Sequence, residues 1–307
     1  MFEEVSLTKF KQDVLAFLSE VKRKNPEMSQ SRLAKMADVS SAALSSVLSG
    51  KYTGNVADIV KRVYAVIERE KEKESSEIKK PHFVETSIFT QMTTAMNIAQ
   101  IDNQIIVFTG DAGVGKTESI KAYVEENPSA ILIEADPCYN VNSVLEEVAD
   151  ALGFEARGRK DRVEKEIIRR LKGSDRMIIV DEAEYLPTKA LDILRRLHDK
   201  ANIPVVLVGM PRLAKNITGV GDKYRQISSR MYHVKLKGIS EEDVRLIAST
   251  VIENIEDSIV KNLFILCKAN ARLLVKILVL AQRIAIHNNV AISPAVCKKA
   301  AEQLMEV

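Results

Sequence analysis

Tryptophan is absent from this chain of 307 residues, and aromatic residues make up only 5% of it. Since 46% of the residues are hydrophobic all the same, a core must be built mainly from Ile, Leu, Val and Ala. Cysteine is scarce: Cys138, Cys267 and Cys297 are isolated, with no C-x-x-C spacing, and His82, His198, His233 and His287 are equally scattered. Neither a disulfide framework nor a zinc site is expected from that pattern, and a reducing cytoplasm is the compartment it suits. No uninterrupted apolar run approaches the roughly 18 residues needed to span a bilayer, and no charged-then-apolar leader opens the chain, so no membrane partner is expected. Net charge is also nearly missing. The 45 basic and 42 acidic side chains leave +3, so whole-chain charge supports a polyanionic partner only weakly and local clusters matter more. The length has room for about two domains.

What is present is a phosphate-loop pattern. Gly110, Asp111, Ala112, Gly113, Val114, Gly115, Lys116 and Thr117 match G-x-x-x-x-G-K-[ST] at every fixed position. The β-branched and aromatic run Ile105–Thr109 before it reads as a strand, and Glu118 to Glu126 after it as a helix, the setting that such a match requires. The glycines let the backbone turn its N–H groups toward phosphate oxygens beside the positive end of the following helix. Lys116 is expected to reach the β- and γ-phosphates of ATP and Thr117 to place a hydroxyl on Mg²⁺, with Glu118 closing the nucleotide-contacting run. A second carboxylate-bearing stretch complements it. Ile178–Val180 are apolar strand residues that deliver Asp181 and Glu182 to a strand's C-terminal end, where open α/β sheets bind ligands. Asp181 would hold Mg²⁺, directly or through water, and Glu182 would orient and deprotonate the attacking water.

Around these motifs the chain reads in blocks. Leu7 to Lys24 is an amphipathic helix ended by Asn25-Pro26. Gln30 to Gly50 has helix-turn-helix spacing, with Ala34 at the close approach, Val39 plugging the turn and Leu44 and Val47 facing inward. Asp38 stands where such turns usually carry glycine, and Asp tolerates that left-handed conformation better than most residues. Ser41, Ser45 and Lys51 are candidate DNA contacts on the outward face, suited to weak, phosphate-dominated binding; a bundle used for protein contact is the alternative. Val56 to Ile67 is a further helix, giving a first domain over 1–67. Residues 68–80 are almost wholly charged and read as a helix end or a solvated linker. Strands and helices then alternate from 81 to 238, which argues for a parallel sheet covered on both faces, and 239–307 has only helical periodicity.

Taken together, the loop at 110–117, Asp-Glu-Ala-Glu at 181–184, Ser228-Ser229-Arg230 and Asn270-Ala271-Arg272 resemble AAA+ ATPases. The resemblance implies an α/β fold, a phosphate-loop parallel sheet with a C-terminal helical lid, here preceded by a small all-α helix-turn-helix domain. It implies a nucleotide bound between neighbouring subunits of a ring or helical filament. Arg230 is then the arginine finger, with Arg225 the weaker candidate, and Arg272, opening a lid helix, the second sensor. The first sensor, usually a polar residue ending the strand at Pro204–Val208, falls at Gly209-Met210, which leaves that role unassigned. The order of blocks, with Phe83-Val84-Glu85-Thr86 leading into the second domain, is further similar to the target-selecting ATPases of transposing bacteriophages. That likeness implies a protein that binds double-stranded DNA with little sequence preference when loaded with ATP, polymerises on it and delivers it to a transposase. Arg157, Arg159 and Lys160, in a basic loop running into a helix, are the candidate DNA contacts of the ATPase domain. The alternatives are an ATP-switched DNA-binding transcriptional regulator and a secretion-type AAA+ ATPase.

Overall fold

Apolar side chains at helical spacing organise the first part of the chain. In the computed structural model, which describes residues 7–24, 28–75, 78–218 and 231–305, α1 (Leu7–Lys24) buries Phe10, Val14, Phe17 and Val21 on one stripe. The expected stop at Asn25-Pro26 lies outside the described residues. Helix α2 (Gln30–Met36) is capped by Ser29 and α3 (Ser41–Leu48) by Ser40, whose side chains accept from the Arg32 and Ala43 N–H groups. Caps of this kind each stabilise a helix end by about 1 kcal/mol. Between these helices Asp38 has φ 53°, and its carbonyl and carboxylate both meet Arg62. Helix α4 (Val56–Ser75) closes the bundle with Ile59, Val63 and Ile67 and continues into the charged stretch, so residues 68–75 are a helix end. Met1–Ile78 forms one compact unit and Lys79–Val307 a second.

The second unit is built on five parallel strands, β1 (Ile105–Thr109), β2 (Ile131–Glu134), β3 (Ile178–Asp181), β4 (Val205–Gly209) and β5 (Met231–Lys235), in the order β2-β3-β4-β1-β5. The three inner strands are buried throughout, and their alternate residues feed two cores. Ile106 and Phe108 face one side with α5 (Ser87–Asp102) and α6 (Lys116–Glu126). Ile105 and Val107 face the other, with α7 (Val141–Ala151), α8 (Lys160–Leu171) and α9 (Thr188–Ala201). This is the two-sided cover that near-continuous apolar strands require. Strand β5, at an edge of the sheet, departs from that pattern: Tyr232, His233 and Lys235 are exposed. A short helix α10 (Arg212–Thr218), which periodicity did not single out, follows β4 and buries Leu213 and Ile217.

Four helices make the lid: α11 (Glu241–Ser249), α12 (Asp257–Cys267), α13 (Ala271–Asn288) and α14 (Pro294–Met305). Their inward residues, among them Val244, Leu263, Leu274 and Ala301, join the same core as α5 and the Phe108 side of the sheet. No helix among the described residues is long and apolar enough to cross a membrane.

Candidate active site

The sheet order places the ends of β1, β4 and β3 side by side, and this brings Thr117, just after the loop, to Asp181 across 64 positions of sequence. Gly113 and Gly115 have φ of 81° and 110°, which a side chain would resist, and Gly115 sits at the N-cap of α6. Val114 turns under the loop and is buried, while Asp111, Ala112 and Glu118 are exposed. The Lys116 ammonium is folded back on its own loop, donating to the Gly110 carbonyl at 2.8 Å and the Asp111 carbonyl at 2.9 Å. Burial lowers its pKa, against the opposing pull of Asp181, Glu182, Glu184 and Asp111. Both carbonyl bonds are replaceable by phosphate oxygens, which a cation prefers.

Next to the lysine, the Thr117 hydroxyl donates to Asp181 Oδ2 at 2.7 Å, and Asp181 Oδ1 accepts from the Glu182 N–H at 2.9 Å. Asp181 is only 3% exposed. Glu182 has φ 52°, a left-handed turn that ends the strand and carries the backbone into a single 3-10 turn, Ala183–Tyr185. Its carboxyl is pushed above the usual range by burial, then by the neighbouring charges of Glu184 and Asp181. The donor set of hydroxyl and carboxylate suits Mg²⁺, which binds through hard oxygens and takes much of its shell from water and phosphates. Among the described residues there is no group of three or more His, Cys, Asp or Glu that could hold a metal.

A cavity of about 760 Å³ opens over the loop. Lys116, Thr117 and Glu182 line it, together with the apolar Phe83, Val84, Ile239, Ile247 and Val275. A lining of both polar and apolar groups suits a nucleotide, which has a charged phosphate chain and a flat base. Phe83 is held edge-on against Phe89 with ring centroids 5.3 Å apart. Arg272 lines the cavity from the first turn of α13, and its backbone N–H donates to Gly113 O at 3.0 Å.

Two residues in this region were not singled out from sequence. Glu184, buried within the 3-10 turn, accepts from the Met210 N–H at 3.1 Å and lies 3.6 Å from Arg212. It occupies the space beside Gly209, where a Cβ would come within 2.2 Å of its Oε2. The strand end that lacks a polar side chain of its own is therefore filled by a carboxylate from the neighbouring turn. The other is Asn270, whose side-chain amide donates to Ala112 O at 2.7 Å. Both stand inside short polar motifs, Asp-Glu-Ala-Glu and Asn-Ala-Arg, but their partners are distant in sequence.

The remaining candidates are not drawn into this cluster. Arg157 and Arg159 are exposed and paired with Glu155 and Asp161, and Lys160 opens α8. Further along α8, Arg169 and Arg170 both grip Glu166. Ser41, Ser45 and Lys51 are exposed on the N-terminal unit. Arg225, Ser228, Ser229 and Arg230 lie outside the described residues.

Residues 100–217 match the AAA domain family. Mu-like prophage FluMu DNA transposition protein B of Haemophilus influenzae is 33% identical over 195 residues, spanning 63% of this chain and 68% of that protein. ATP-dependent target DNA activator B of Escherichia phage Mu is 34% identical over 200 residues, 64% of this chain and 63% of the phage protein. Among solved structures, ORC2 of Aeropyrum pernix superposes with a TM-score of 0.54 at 16% identity, covering 74% of this chain and 70% of the other, a likeness of fold alone. By its 33% identity across 68% of the Haemophilus influenzae protein and its match to the AAA domain, the chain belongs to the DNA transposition protein B family of AAA ATPases.

Proposed function

We propose that this ATPase binds target DNA in an ATP-dependent way, with little sequence preference, and hands it to a transposase. The observation that carries the nucleotide half of this reading is the contact of Thr117 with Asp181 beside a loop whose lysine is held only by carbonyls. Lys116 swings from those carbonyls to the β- and γ-phosphates, and the N–H groups of residues 113–117 hold the phosphate chain. Thr117 and Asp181 would hold Mg²⁺, which would supply positive charge beside the phosphate oxygens. Glu182, whose raised pKa suits proton acceptance, orients and deprotonates the attacking water. Arg272 reaches the phosphates from the lid, and Arg230 acts on the neighbouring subunit's nucleotide in an ATP-driven assembly.

The relatives' names, a DNA transposition protein and a target DNA activator, support the DNA half. Arg157, Arg159 and Lys160 are exposed, and the two arginines can exchange their acidic neighbours for DNA phosphates, since surface ion pairs are worth only about 0–1 kcal/mol. The helix-turn-helix spacing at Gln30 to Gly50, with Ser41, Ser45 and Lys51 outward, adds a second backbone-directed surface. Gel-shift titration of unrelated duplexes with and without ATP tests the whole. Equal, ATP-dependent shifts are expected; one preferred duplex would make the protein an operator-reading regulator, and no shift would remove DNA from its function.

A further inference from the structure

The lid reaches the phosphate loop through a residue that the chemistry of hydrolysis does not call for. Asn270 uses both ends of its amide: Oδ1 accepts from the Leu273 N–H at 3.0 Å and so caps α13, while Nδ2 donates to Ala112 O at 2.7 Å. Two residues on, the Arg272 backbone N–H donates to Gly113 O. Two successive loop carbonyls are thus tied to the start of one lid helix. The approach is tight, because a Cβ on Gly113 would lie 2.4 Å from Asn270 Oδ1 and 3.0 Å from Arg272 Cβ.

The turn that delivers Asn270 is itself forced. Lys268 and Ala269 are both left-handed, at φ 50° and 57°. They are held there by bonds from the Ile239 N–H to Ala269 O and from the Asn270 N–H to Cys267 O. Gly238 presses on the same turn, where a Cβ would lie 2.6 Å from Ala269 O. Two adjacent unfavourable conformations persist only where the surroundings over-determine them. What they accomplish here is to set one amide against the loop.

We infer that Asn270 is a positioning residue for the nucleotide: it latches the lid to the phosphate loop by holding the Ala112 carbonyl away from the cavity. A loop carbonyl turned inward would set a partial negative charge against phosphate oxygens, whereas a carbonyl held outward leaves the loop N–H groups aimed at them. Release of the nucleotide then requires the latch to open. The inference rests on the nucleotide reading of the loop.

The test is release of fluorescent N-methylanthraniloyl-ADP from the full chain in the presence of Mg²⁺, followed by stopped flow. Asn270→Ser and Asn270→Asp both retain a good helix cap. Serine is too short to reach Ala112 O, and aspartate sets an acceptor against it. Release about three- to tenfold faster is expected for Asn270→Ser, the factor a single hydrogen bond is worth, and at least as fast for Asn270→Asp. The thermal midpoint of Asn270→Ser should fall by no more than about 6 °C, the loss of that one hydrogen bond, because the cap survives. Wild-type release from Asn270→Ser overturns the latch, as does acceleration confined to Asn270→Asp, which would reflect charge alone. Lys116→Ala separates the two failures: if it binds the labelled ADP like wild type, the nucleotide reading itself is wrong.

Discussion

Asp243 ties the stability of the ATPase unit to the shape of its cavity. Its carboxylate is 2% exposed and accepts from the Ser240 N–H at 2.7 Å, the Ser87 N–H at 2.6 Å and the Ser87 hydroxyl. The Ser240 hydroxyl in turn accepts from the Asp243 N–H, so one capping box starts α11 and also anchors α5. Burial alone would push this carboxyl up, but the bonds from Ser87 and Ser240 outweigh it and hold the pKa below its ordinary value. Asp243→Asn keeps the shape and puts an NH₂ group where an acceptor stood, leaving a buried donor unpaired. The cost should be about 2–3 kcal/mol, and for a unit of this size the melting midpoint should fall by roughly 4–12 °C. The pH dependence follows from the direction of the shift. A folded-state pKa below the unfolded value, about 3.9, means that the wild type's advantage over Asp243→Asn is fully present above that value. It is lost as pH falls through the folded-state pKa. Thr86, next to Ser87, and Ile247, one turn beyond Asp243, both line the cavity, so nucleotide affinity should weaken alongside. Calorimetric melts of both proteins from neutral pH to about pH 3 decide the matter. Equal midpoints at neutral pH, or a difference that does not shrink in acid, would falsify the assignment.

Three further outcomes are expected. Lys116→Ala removes the cation that the loop holds ready and should weaken ATP binding by more than about 100-fold and ATP-dependent DNA binding with it; unchanged affinity in titration calorimetry would mean the loop has been misread. Glu182→Gln leaves Thr117 and Asp181 in contact but removes the base, so the protein should bind ATP, hydrolyse it at least about 100-fold more slowly and stay on DNA longer, with faster dissociation as the contrary result. Changing Arg157, Arg159 and Lys160 together to Ala should weaken binding to all duplexes alike and flatten the slope of log affinity against log salt by up to about 3, and an unaltered slope would move the DNA surface elsewhere.

How far the residues alone carried the description depends on distance along the chain. The phosphate loop was legible because eight consecutive residues, flanked by a β-branched run and a helix, carry their own geometry: glycines for the turns at 113 and 115, lysine and threonine opening α6. Asp181 and Glu182 were legible for the same local reason, at the end of an apolar run. So were the helix stripes of α1 and α13, and Asp38 in a left-handed turn. Element ends were less so, since a strand extends only as far as its neighbours pair with it; β3 begins at Ile178 because its pairing with β2 and β4 begins there, although the apolar run starts at Met177. Helix α10 carries its burial on just two residues, Leu213 and Ile217, too few for a periodic signal. The rest was decided by tertiary structure. Which strands neighbour β1, and hence that Thr117 meets Asp181, depends on crossovers that no window of sequence records. The same holds for Glu184 filling the space beside Gly209, and for Asn270 reaching Ala112. Each is a polar group whose partner lies 26 or 158 residues away. A buried donor or acceptor must be satisfied somewhere, but only the folded chain decides by whom.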